Sequence, residues 1–191
     1  MDRKRLERVI ARIDAANAAD PEIEDGVPVA LRYGQRMSAA LARLAPEASE
    51  VLRIAVRAQH VERWLVPRAS YPEGRVGYLR WRTELGRMHA ERAGALMREC
   101  GYDDESIARV RSIVAKKKLA TDPDAQTLED CACLVFLEHA LEPFASRHDD
   151  DKVVDIVRKT WAKMSDAGHG AALALPLTDR ARALVERALA L

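Results

Sequence analysis

Residues 131–141 read CACLVFLEHAL, and up to Glu138 this stretch is apolar on nearly every side. At helical spacing such a segment has no face to offer to water, so it belongs in the centre of a bundle. The segments around it carry one-sided helical stripes. Residues 3–18 place Leu6, Val9, Ile10 and Ile13 together and stop at Asp20-Pro21. Residues 29–44 form a second helix between Pro28 and Pro46, and Ser49 caps a third that runs to Trp64. Residues 77–100 form a long helix closed by Gly101. Asp103 and Asp104 start the next, which Lys116, Lys117 and Lys118 close. The central helix follows from Thr127 to about Pro143, then helices over 149–164 and 178–190, joined by a loop containing Gly168 and Gly170. No window alternates as a strand does, and no repeat is visible. The expectation is an all-α fold, one globular domain over 1–191 with seven or eight helices. Its longest irregular stretch is the loop 66–76, VPRASYPEGRV.

With 31 Lys plus Arg against 30 Asp plus Glu, the chain lacks the basic excess of a general nucleic-acid binder. The N-terminal MDRKRLERVIARID has no apolar core of a signal peptide, and no stretch approaches the ~20 apolar residues of a membrane span. A membrane partner is not expected. Three cysteines, Cys100, Cys131 and Cys133, have no framework spacing and read as reduced, buried thiols in a cytoplasmic protein.

The near-neutral total hides a separation. Of the cations, 24 are Arg and 7 are Lys. Nine arginines fall between Arg53 and Arg92 against four acids, whereas residues 120–151 hold nine acids against Arg147 alone. These opposed regions could meet within the fold or across a homodimer interface. Arginine's planar fork suits phosphate and carboxylate. Arg57, Arg68, Arg75, Arg80 and Arg82, with Tyr71 in the loop and Lys117 beyond it, are therefore the candidate contacts to a small anionic molecule.

His60, His89 and Asp130 fall on three different predicted helices, each on or beside an apolar face. A buried carboxylate needs a cation, a metal or several hydrogen bonds. Two imidazoles and a carboxylate from separate helices suit one divalent metal ion, with Glu129 as a further candidate ligand. The competing reading makes these core residues with protein partners: Asp130 would cap its helix or pair with an arginine. No Walker loop, GxGxxG, HExxH or GxSxG motif is present.

The stretches RAQHVERWLVPRASYPEGRVGYLRWR (57–82), HAERAGALMRECGY (89–102), KKKLATDPDAQTLEDCACLVFLEH (116–139) and KTWAKMS (159–165) resemble the family called domain of unknown function 4202. That resemblance covers nearly the whole chain; it implies an all-helical protein and no particular reaction. A more distant resemblance is to HD-type metal-dependent phosphohydrolases. Residues 56–64, VRAQHVERW, are similar to their His-Asp doublet region, HAERAG (89–94) to the further His, and QTLEDCACLVF (126–136) to the late-Asp helix. Val61 stands where the doublet has Asp, and no His lies near Tyr33 to Gln35, where the first His would fall. The resemblance implies an HD-like bundle hydrolysing a small phosphorylated or anionic metabolite through a metal held by His60, His89 and Asp130. The alternative is a metal-free, non-catalytic anion- or nucleotide-binding protein on the same fold.

Overall fold

The computed structural model describes residues 2–190. Helix α1 spans Arg3–Asn17, α2 Val29–Leu44, α3 Glu50–Ala58, α4 Gly74–Glu99 and α5 Asp104–Val114. Helix α6 spans Pro123–Val135, α7 Leu141–Ala145, α8 Asp150–Trp161, α9 Asp166–Leu173 and α10 Asp179–Leu189. The fold is all-α. Short polar side chains set most of the starts: those of Asp2, Ser49, Asp103, Asp122, Asp149, Ser165 and Thr178 each accept a backbone N–H in the following turn. No helix among the described residues is long and apolar enough to cross a membrane.

Helix α6 lies at the centre, as its composition requires. Leu128, Cys131, Cys133, Leu134 and Val135 are all buried, and α2, α3, α5 and α9 pack around it. One apolar cluster runs from Val9 and Ile13 through Met37, Ile54, Met97 and Ile113 to Leu184, tying both ends of the chain to α6. The three cysteines are buried and free.

The ten helices exceed the seven or eight expected, and three differences have local causes. Beyond α6 the helix widens into a π turn over Phe136–Ala140 before resuming as α7. Pro143 has no N–H to give the carbonyl four residues back, and its ring crowds that carbonyl. Gly168 and Gly170, predicted as loop, lie inside α9 because the Ser165 hydroxyl caps it by accepting the Gly168 N–H at 3.1 Å. A two-stranded antiparallel hairpin pairs β1 (Ile23–Glu24) with β2 (Val27–Pro28) where no strand is predicted. Its loop residues Asp25 and Gly26 have φ of 46° and 77°. An Asp-Gly pair is a strong signal for this two-residue turn, so the cue was in the sequence.

The fourth difference builds the site. Helix α3 ends at Ala58 rather than at Trp64. Glu62 adopts a left-handed conformation with φ of 54°, and its N–H is taken by the side chain of buried Asn17 at 3.0 Å. The chain thus leaves the helix, and His60 sits in the turn after it. Short 3-10 turns at Arg63–Leu65 and Arg68–Ser70 follow. The Trp81 indole N–H then donates to the Val66 carbonyl at 2.8 Å and fastens this segment to α4. Gly77 lets α4 come back close under the loop, since a Cβ there would lie 1.8 Å from the Pro72 carbonyl oxygen. Gly77→Ala is expected to cost about 1–3 kcal/mol in urea denaturation, because the Pro72 turn must open.

Candidate functional site

A cavity of about 530 Å³ opens between the start of α2, the turn after α3 and the first turns of α4. Asp20 shapes one side: its carboxylate accepts the N–H groups of Glu22 at 3.0 Å and Ala30 at 2.9 Å, which anchors the start of α2. Tyr33 on α2 stacks on the His60 ring with centroids 4.3 Å apart and planes 16° apart. Trp64, Val66 and Pro67 from the loop and Trp81 from α4 complete an apolar, largely aromatic wall.

Into this wall the fold sets Arg63. Its guanidinium lies over the Trp81 ring, 4.8 Å from the centroid, and an N–H donates to His60 Nε2 at 3.3 Å. Among the described residues no carboxylate pairs with it, whereas fourteen other arginines have one. Burial pulls the Arg63 pKa below its ordinary value.

The two histidines meet behind this wall, with ring centroids 5.5 Å apart. His60 receives an arginine donor at Nε2, so the neutral ring carries its proton on Nδ1. Burial, and then the charge of Arg63, hold it well below the usual histidine range; Lys116 and Arg82 add to this. His89 is 3% exposed. Its Nδ1–H donates to the Val61 carbonyl at 2.8 Å, which leaves Nε2 as a buried acceptor without a partner. Burial pushes its pKa down to about 4. Val61 thus serves through its backbone.

Asp130 does not join the histidines. It faces α9: its carboxylate accepts the Ser165 N–H at 2.9 Å, the Ser165 hydroxyl at 2.6 Å and the Gln126 side-chain N–H at 3.0 Å. Gly168 packs so close that a Cβ would lie 2.7 Å from Asp130 Oδ1. Glu129 is half of an ion pair with Lys116. Among the described residues no three His, Cys, Asp or Glu side chains are grouped to hold a metal ion. The set His60, His89, Asp130 and Glu129 therefore does not fit the divalent ion expected. The charges of Arg63 and Arg82, which act on His60 and have no carboxylate partner among the described residues, would also repel one.

The candidate anion contacts divide. Arg68 lines the cavity and is steadied by donating to the Tyr71 carbonyl at 3.0 Å. Arg82 does not line the cavity; it donates to the Tyr78 hydroxyl at 3.2 Å, and its charge acts on both His60 and Arg63. Arg57 is internal: it grips Asp14 at 2.6 and 2.7 Å and the Gly34 carbonyl at 3.3 Å, so it braces α1 against α2 and α3. Arg75, Arg80, Tyr71 and Lys117 do not line the cavity. Sequence reasoning counted Arg63 among the nine arginines without distinguishing it and did not single out Trp81. The available signal was spacing, since Arg63 follows His60 by three residues.

Residues 7–185 match the family described as Domain of unknown function (DUF4202). The chain belongs to this family. No curated protein and no solved structure matches it. The match includes every segment that lines the cavity and carries no reaction with it.

Two outcomes follow for stability. Asp130→Ala removes three hydrogen bonds from a buried carboxylate that docks α9, and should cost about 2–4 kcal/mol in urea denaturation. Both histidines have depressed pKa values, so below pH 6.5 the unfolded chain binds protons that the folded chain refuses. Stability should fall as pH drops from 6.5 towards 4. His89→Gln should flatten that slope by up to about 3 kcal/mol over the window, read from denaturation midpoints at each pH.

Proposed function

We propose that this chain binds a small molecule that presents an anionic group to Arg63 and a flat, apolar portion to the aromatic walls. Arg63 carries the reading: it is a cavity-lining guanidinium without a carboxylate partner, in a chain that pairs most of its arginines. A desolvated charge without a counter-ion costs several kcal/mol, and a cation–π contact offsets about 1–2 of them. A ligand oxyanion would supply the rest, with Arg68 adding donors. The cavity volume, about 530 Å³, suits a metabolite rather than a polymer.

Binding is favoured over hydrolysis by the chemistry of the neighbours. The Cys131 and Cys133 thiols are buried and pushed up to about 12, so neither is a thiolate nucleophile near neutral pH. His60 accepts a hydrogen bond from Arg63, which opposes its taking a proton. Of the HD-type pattern this reading keeps the His60–His89 pair, as the inner wall of an anion site rather than as metal ligands. It corresponds to a degenerate HD-like bundle.

Calorimetric titration tests it with inorganic phosphate, phenyl phosphate and adenosine monophosphate as probes. A ring-bearing phosphate should bind more tightly than inorganic phosphate, and Arg63→Gln should weaken it at least about tenfold without lowering the melting temperature. Absence of binding by all three, or equal binding by Arg63→Gln, would overturn the proposal.

A further inference from the structure

The first turns of α4 carry a second feature. Six large hydrophobic residues are exposed among the described ones, and four lie in this region: Leu65 at 61%, Val76 at 68%, Tyr78 at 41% and Leu79 at 52%. At 3.6 residues per turn, Gly77 and Trp81 point inward while Val76 and Leu79 form an outer ridge. Arg75 and Arg82 flank this ridge on one side and Arg80 on the other. The bond from Trp81 to the Val66 carbonyl fastens the turn bearing Leu65 to the inward side of this end of α4, away from the ridge. None of Arg75, Arg80 and Arg82 has a carboxylate partner among the described residues, whereas Arg87, one turn further on, pairs with Glu84 at 2.6 Å. An aliphatic ridge in water between unpaired cations has no function in holding this fold together.

We propose that this face of α4 docks on an anionic lipid surface, with Val76 and Leu79 entering the headgroup boundary and Arg75, Arg80 and Arg82 meeting the phosphates. Charge complementarity and residue type favour that occupant. Arginine stems can lie along an apolar ridge while their charged ends reach outward to headgroups. Protein hot spots are instead poor in Leu and Val, and nucleic-acid platforms present stacked aromatic faces. Such docking is peripheral and needs no spanning helix. It also does not depend on the cavity's ligand.

The test is co-sedimentation of the full chain with vesicles of phosphatidylcholine alone or with added phosphatidylglycerol, at low and high salt. Binding should require phosphatidylglycerol and weaken with salt. It should fall at least about fivefold both in the double variant Val76→Gln/Leu79→Gln and in Arg75→Gln/Arg80→Gln. All four positions are exposed, so circular dichroism should be unchanged. Failure to bind anionic vesicles, or binding that survives either double variant, overturns the proposal. So does a dimer that Val76→Gln/Leu79→Gln dissociates without any vesicle binding, which would assign the ridge to a second copy.

Discussion

Helix α6 is the constraint on which the rest depends. A helix apolar on nearly every side must be enclosed, and its neighbours α2, α3, α5 and α9 are held in place by that need. The polar groups on it are then obliged to find partners inside the protein. Asp130 finds them in the first turn of α9, and Glu129 finds one in Lys116, whose backbone turns left-handed with φ of 52°. Enclosing α6 therefore consumes the two carboxylates that a metal site would have needed.

What remains around His60 is a surplus of positive charge. Burial holds both imidazoles away from the charged form, and for His60 the neighbouring Arg63, which donates to it, adds to this. Glu129 is neutralised by Lys116, and Asp20 is committed to backbone amides. Among the described residues that line the cavity, Arg63 and Arg68 have no carboxylate partner, and the exposed Glu22 at the mouth has no cation partner. The proposed anion site rests on those unpaired arginines more than on the histidines, because the same histidines could serve either role.

Much of the fold was legible because burial leaves a periodic record. The stripes of α1 and α2, the caps at Ser49 and Asp103, and the all-apolar run at 131–137 each report a local physical need. The misplaced ends were those set by distant groups. Nothing near Glu62 announces that Asn17, 45 residues earlier, will catch its N–H and end α3 before His60. The candidate site was half legible. His60 and His89 stand together as their placement suggested, but Asp130 was assigned to them on the same kind of evidence and went to Ser165 instead. A buried carboxylate advertises that it needs partners without saying which.

The sequence by itself determined the helical class, the central position of α6 and the concentration of arginine between residues 53 and 92, since each follows from side-chain type and spacing alone. Only the tertiary structure decided which charges are cancelled. Arg57 and Arg63 lie six residues apart and look equivalent in the chain. One meets Asp14 across 43 residues and becomes part of the scaffold; the other meets Trp81 and His60 and keeps its charge available. Ion pairing depends on distances of a few ångströms between segments far apart in sequence, and those distances exist only once the helices have packed.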